Sequence, residues 1–351
     1  MNRSIFTFFL LCILILPSCY NLPEEGDKNP WETVNLSTIT PIRTMFASPL
    51  ELLVATDDEF YRINTDNEIV EKRNIGLPFR HFGRPAISDF VTLRLVRTAT
   101  ESQVAELHLT RNADEVYNFS IADIPTNGEE NFEVEGTSRN PGAFNFDGSQ
   151  FLLPVRTLTS GERYFSFFLL DIDLNSTKTE FQSVEIAQRI DIVSLPGDPA
   201  TLVNVKFING FYYVTSQNGA FRISPSGDAV TLFTGWMQDV FELDGKLYIT
   251  GFNDFEFYTS SDNGASWERV LDPTTIKMVE VANDEIFFHQ AIGFRFKLAD
   301  TDLKDGQNIS LNEDFPTNDF AAYSNIVYFF GNYYLSVQKE IAFSSAIQTE
   351  E

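Results

Sequence analysis

Apolar and polar positions in this chain alternate over short runs separated by tight-turn residues, and no long helical period competes with that pattern. Phe207-Ile-Asn-Gly-Phe-Tyr-Tyr-Val214 is the clearest unit. Phe241-Glu-Leu-Asp-Gly-Lys-Leu-Tyr-Ile249, Val281-Ala-Asn-Asp-Glu-Ile-Phe-Phe288 and Val327-Tyr-Phe-Phe-Gly-Asn-Tyr-Tyr-Leu335 repeat it. Asn-Gly and Asp-Gly between alternating apolar runs predict hairpins, because both central residues of the favoured turn need a positive φ. Weaker copies lie at Phe46–Val54 and Phe144–Leu152, and another is expected around Asp89–Leu109.

A second element follows the hairpin. Phe60-Tyr-Arg-Ile63, Phe221-Arg-Ile-Ser224 and Phe294-Arg-Phe-Lys297 place an Arg inside an apolar strand, and each precedes a polar turn. Each unit therefore holds about four short strands, at a period of about 35–60 residues. Four-stranded antiparallel units at this period predict an all-β chain folded as a β-propeller. Seven landmarks predict seven blades; six blades or a pair of β-sandwiches are the alternatives. The last unit, 318–346, has room for three strands, and Trp31-Glu-Thr-Val-Asn-Leu36 is left over at the start. The leftover strand is expected to close the last blade and so remove an open sheet edge. This assigns 31–351 to one propeller domain.

The chain before it has a different pattern. Arg3 precedes an apolar run, Ile5–Leu16, whose length fits a signal peptide and is short of the ~20 residues that span a bilayer. It ends in Leu16-Pro17-Ser18-Cys19, which resembles the bacterial lipobox, in which the chain is cut before a cysteine whose thiol carries diacylglycerol. The expectation is a signal peptide over 1–18, lipid on Cys19 and a polar tether over 19–30. Two acyl signals hold a protein on a membrane where one chain does not. Cys12 leaves with the leader, so the body has no cysteine for a disulfide. Glu24 and Glu25 resemble the acidic export signal of surface lipoproteins of Bacteroidota. The expected location is the bacterial cell envelope, lipid-anchored at the outer membrane.

Composition narrows the partners. The chain has 25 Lys plus Arg against 50 Asp plus Glu, a net charge of −25. That surface repels phosphate backbones, so nucleic acid is not an expected partner. The 34 Phe and 12 Tyr suit half-buried pleated surfaces.

Ser260-Ser-Asp-Asn-Gly-Ala-Ser-Trp267 matches Ser-x-Asp-x-Gly-x-x-Trp and resembles the Asp-box of sialidases and their non-enzymatic propeller relatives. The resemblance implies a fold-stabilising turn on a blade's outer edge, built by Ser260, Asp262, Gly264 and Trp267. Ser224 and Gly227 resemble a decayed copy without the Trp. Sialidases of this group clamp a carboxylate with three arginines and carry an Arg-Ile-Pro motif. Here Gly83-Arg84-Pro85 lacks the Ile, and Arg62, Arg222 and Arg295 recur at equivalent repeat positions. Equivalent residues are expected to serve each blade separately.

His81, His108 and His289 show no metal-ligand spacing, and no nucleophile elbow or phosphate loop is present in the sequence. Asp57-Asp58-Glu59 and Asp171-Ile-Asp-Leu-Asn175 are acidic but lack calcium-loop spacing and are expected to be solvated turns. No catalytic residue, metal or cofactor is therefore expected. The function expected is a lipid-anchored binding or scaffold module for a protein or glycan, with a sialidase-like glycan hydrolase as the alternative.

Overall fold

A computed structural model describes residues 31–345, except 39, 57–58, 75–79, 88–90, 98–103, 112–114, 121–130, 135–141, 160–161, 178–179, 192–201, 252–256, 271–277, 291–292, 299–306, 309–322 and 338. Cys19 and its flanks, Asp57 and Asp58 lie outside these residues.

The described strands form seven antiparallel sheets, numbered here I to VII in chain order of their first long strand. Sheet I is Ile42–Ala47, Leu52–Thr56, Glu59–Ile63 and Ile69–Asn74. Sheet II is Arg80–Ile87, Thr92–Arg97, Val104–Arg111 and Glu115–Ser120. Sheet III has long strands, Gln150–Thr159, Glu162–Leu174 and Phe181–Asp191, and its first edge is split between Asn131–Val134 and Ala143–Phe144. Sheet IV is Leu202–Ile208, Phe211–Ser216, Gly219–Ile223 and Ala229–Thr234. Sheet V is Met237–Leu243, Lys246–Gly251, Phe257–Ser260 and Glu268–Val270. Sheet VI is Met278–Ala282, Glu285–Gln290, Gly293–Leu298 and Gln307–Asn308. Sheet VII is Tyr323–Phe329, Asn332–Val337 and Glu340–Ser344, with Glu32–Asn35 as its fourth strand.

The first strands of neighbouring sheets touch in chain order, and that of sheet VII touches that of sheet I. The chain is thus an all-β, propeller-like circuit, in which the leftover N-terminal strand pairs with the last strand of the chain. Up-and-down order puts the turns between first and second strands, and between third and fourth strands, at one end of every sheet. We call this the hairpin end.

The expected unit around Asp89–Leu109 is shifted by one strand. Thr92–Arg97 and Val104–Arg111 are the second and third strands of sheet II, and the first lies upstream at Arg80–Ile87. That strand contains Gly83-Arg84-Pro85 and breaks register between Phe82 and Ala86. Proline cannot donate to a ladder, which accounts for a register break beside Pro85. Asp171–Asn175 also departs from expectation. It lies mainly in strand Glu162–Leu174 rather than in a turn, and Asp171 accepts a hydrogen bond from Gln150 Nε2 at 3.1 Å.

The core lies between sheets. In sheet III, Phe151, Leu153, Phe168 and Leu170 pack toward sheet II with Leu93 and Leu109. Their chain neighbours Leu152, Phe167 and Leu169 pack toward sheet IV with Val205, Tyr212 and Val214. Both faces are covered, so inner strands are apolar at successive positions, and Leu52–Thr56 is buried throughout. The outer strand Ile69–Asn74 is largely exposed. Val34 and Leu36 join Phe329, Tyr334 and Ile341 in a cluster with Ile42, Leu52 and Tyr61, so the closing strand contributes side chains to the seam between sheets VII and I.

Side chains on second strands hold the next sheet's outer turn. Tyr334 Oη donates to Asn67 Oδ1 at 2.5 Å, from sheet VII to sheet I. Gln150 Nε2 donates to the Pro225 carbonyl at 3.4 Å, from sheet III to sheet IV. Tyr213 Oη donates to the Asn263 carbonyl at 3.4 Å, from sheet IV to sheet V.

Candidate functional site

The turns after the third strands of sheets I, IV and V share one chemistry. Asn64 Oδ1 accepts the Glu68 N–H at 2.9 Å, Ser224 Oγ accepts the Asp228 N–H at 3.0 Å, and Ser260 Oγ accepts the Gly264 N–H at 2.8 Å. The residue three beyond each acceptor has a positive φ: Asn67 at 63°, Gly227 at 88° and Asn263 at 55°. A short polar side chain that satisfies a backbone donor four residues on competes with continued strand, and so ends it. At Gly227 a Cβ would fall 2.2 Å from Gln188 of sheet III, so the residue is glycine for both backbone and space.

The Ser260–Trp267 turn elaborates this plan. Asp262 Oδ1 accepts the Ser266 N–H at 2.8 Å and the Ser260 hydroxyl at 2.7 Å, and Oδ2 accepts the Ser266 hydroxyl at 2.6 Å. These donors, Ser266 first, hold the Asp262 carboxyl well below its ordinary range, at about 2. Trp267 Nε1 donates to the Gly264 carbonyl at 3.2 Å, and its ring meets Phe233 of sheet IV edge-on at 5.2 Å. Ser260, Asp262, Gly264 and Trp267 therefore meet in one turn that packs on the preceding sheet. Since the folded carboxyl titrates below its unfolded value, the stabilisation it adds is complete above about pH 4 and is lost as pH falls toward 2. Trp267→Ala is expected to cost about 2–4 kcal/mol in urea unfolding through its lost ring packing. A loss below about 0.5 kcal/mol would mean that the turn does not brace sheets IV and V.

Two of the three strand arginines have local partners in different sheets. Arg62 pairs with Glu51 at 2.5 Å and Glu71 at 3.1 Å, all within sheet I and its turn. Arg222 donates to the Asn263 carbonyl and lies 4.9 Å above the Phe211 ring, joining sheet IV to the turn of sheet V. Neither is directed at a shared substrate carboxylate. The side chains of Arg84, Arg295, His81, His108 and His289 lie outside the described set. Glu59 of the acidic run Asp57–Glu59 is buried rather than solvated. Burial opposes its charge, but bonds from Tyr61 Oη at 2.6 Å and Lys72 Nζ at 3.0 Å outweigh that and lower its pKa.

A buried polar chain between first strands has no counterpart in the motifs read from the sequence. Asp239 is fully buried. Its carboxylate accepts from Asn204 Nδ2 at 2.9 Å, the Val240 N–H at 2.7 Å, the Val279 N–H at 2.9 Å and Lys206 Nζ at 2.8 Å. Lys206 Nζ also donates to the Val279 carbonyl at 3.0 Å. One carboxylate thus ties sheets IV, V and VI together. Asn325 makes a similar link between sheets VII and I: it accepts the Met45 N–H at 3.0 Å and donates to the Met45 carbonyl at 2.8 Å. The signal was legible in the repeat. Asn204, Asp239 and Asn325 each stand five residues before the hairpin turns at Asn209, Asp244 and Phe330. Each also lies where the strand breaks register with its partner.

No protein-family model and no curated protein matches this chain. Solved structures do. The extracellular domain of BT4673 from B. thetaiotaomicron has a TM-score of 0.54 at 12% identity, over 90% of this chain and 40% of that one. PorZ, a surface component of the type-IX secretion system of Porphyromonas gingivalis, has a TM-score of 0.50 at 10% identity, over 92% of this chain and 39% of that one. The WD40 domain of Pan2 from Neurospora crassa has a TM-score of 0.52 at 10% identity, over 92% of this chain and 98% of that one. This chain therefore spans about two fifths of the length of the two bacterial proteins. At these identities the likeness is one of fold: the protein has an all-β, β-propeller-like architecture similar to theirs.

Proposed function

We propose that this chain is a seven-bladed β-propeller, lipid-anchored through Cys19 in the bacterial cell envelope, that acts as a binding or scaffold module for a protein or glycan. The observation that carries the reading is the circuit of seven described sheets sealed by pairing of Glu32–Asn35 with Glu340–Ser344. A sealed circuit of this kind is a rigid frame that presents loops at both ends, which suits recognition. The bacterial neighbours support the location, one being an extracellular domain and the other a surface component. The local pairing of Arg62 and the placement of Arg222 on the next sheet's turn favour recognition over a carboxylate-clamping hydrolase.

Two measurements test the halves separately. Metabolic labelling with an alkyne fatty acid is expected to mark the wild-type chain and to be abolished in Cys19→Ser. Retained labelling in that variant overturns the anchor. For the module, in-cell photo-crosslinking and a glycan array should each be run against a catalytically inert, unrelated lipoprotein. A specific adduct or glycan is expected, and neither above the control overturns a binding role.

A further inference from the structure

The hairpin end is unusual in what it exposes. Leu50, Phe146 and Phe330 are 76%, 86% and 67% exposed and lie in the first hairpin turns of sheets I, III and VII. The other exposed large hydrophobics among the described residues lie on sheets I, IV and VI, beside turns at this same end. Phe330 is also conformationally costly. It has a φ of 46° at the position where the equivalent turns carry Asn209 at 50°, Asp244 at 50° and Asn283 at 53°. Asn and Asp tolerate the left-handed region, and a bulky side chain without local hydrogen bonds does not. Its ring meets that of Phe329 at 6.2 Å between centroids but stays mostly in water, so packing offsets little of that strain and the molecule's stability does not explain it.

The direction of the closing strand says what lies on that side. Glu32 sits opposite Phe343 and Asn35 opposite Glu340, so the chain enters the strand at the hairpin end and runs away from it. Whatever precedes Trp31 joins the body there. From Cys19 to Trp31, twelve residues reach no more than about 43 Å even when fully extended.

We propose that the hairpin end rests on the lipid bilayer, with Phe330, Phe146 and Leu50 inserted at the headgroup level, so that the opposite end faces away from the membrane. The proposal rests on the lipid anchor at Cys19 argued above. The tether brings the body to the bilayer, and the apolar tips fix which end meets it. The turns at this end also carry Asp66, Asp147, Asp228 and Asp244. Their charge repels anionic headgroups, so the surface that fits is a zwitterionic one.

The test uses the full lipidated chain in phosphatidylethanolamine–phosphatidylcholine vesicles with bromine-labelled acyl chains. Phe330→Trp is expected to lose at least half of the added emission to bromine quenching. Lys339→Trp, at the turn between second and third strands of sheet VII on the opposite end, is expected to lose less than a tenth. Equal quenching of the two overturns the proposal. If neither is quenched while fatty-acid label remains on Cys19, the anchor stands and the orientation is wrong, and protection of Phe330 only by a soluble protein would identify the occupant as protein. If label is absent, the anchor reading fails first. Phe330→Asn supplies a second readout. It is expected to raise the unfolding midpoint while lowering zwitterionic-vesicle binding of the chain over 20–351, which has neither leader nor acyl group, about tenfold, from the lost burial of one aromatic side chain. A variant that lowers the midpoint, or binds unchanged, overturns the assignment of Phe330 to the membrane.

Discussion

Asp239→Ala is expected to lower the unfolding free energy by about 3–5 kcal/mol, with the urea m-value unchanged. Asp239 is fully buried and accepts from Asn204, Lys206 and the backbone of Val240 and Val279. Its removal leaves Lys206 with no carboxylate partner there and the Val279 N–H without its acceptor. Loss of a buried acceptor costs more than the hydrogen bond contributes, because the abandoned donors cannot recover water. Asp239→Asn keeps acceptor capacity and should cost less, about 1–2 kcal/mol. Asp239→Leu with Lys206→Met removes both charges and should recover much of the loss seen in Asp239→Ala. A loss under about 1 kcal/mol in Asp239→Ala would show that the three first strands are held by apolar packing alone.

Opening the circuit is expected to be comparably severe. Val34→Asp with Leu36→Asp places two charges where Val34 is 7% and Leu36 is 1% exposed, in the cluster shared by sheets VII and I. The lost apolar burial is worth about 1.5–3 kcal/mol per side chain, and an unpaired charge adds to it. The outcome expected is destabilisation by about 4–6 kcal/mol and release of Glu32–Asn35 from Glu340–Ser344. The exposed edge of the last strand then favours self-association. Size-exclusion chromatography should show oligomers, and limited proteolysis should cut near residue 35. A monomer as protease-resistant as the wild type would mean that the closing strand is dispensable.

The hairpins were legible because their chemistry is local. Asn209-Gly210 and Asp244-Gly245 take the positive φ values their residue types favour, and the strands around them follow. Phe330-Gly331 takes the same turn although its first residue disfavours it, so there the framework overrides propensity. Sheet II departs from the sequence expectation by one strand because no Asn-Gly or Asp-Gly marks its first turn. The elements of the Ser260–Trp267 turn were likewise legible, since its acceptors and donors lie within eight residues. Its contact with Phe233 was not, because which sheet lies beside it depends on the circuit. The Asn204–Asp239–Lys206 chain was missed for a related reason. Each residue is a polar position within a largely apolar strand, and the common offset is a property of the repeats taken together.

By itself the sequence determined the all-β class, the repeated hairpins, the polar turns and a leftover strand at the start. Those depend on side-chain alternation and on φ preferences of single residues, which act over a few positions. The tertiary structure alone decided that both faces of each inner strand are covered, that one carboxylate joins three sheets, and that Glu32 lies against Phe343. Contacts between residues some three hundred positions apart are written in no local pattern. They form because stacking each sheet on the next buries apolar faces that neither could bury alone, and closing the circuit leaves no first or last sheet.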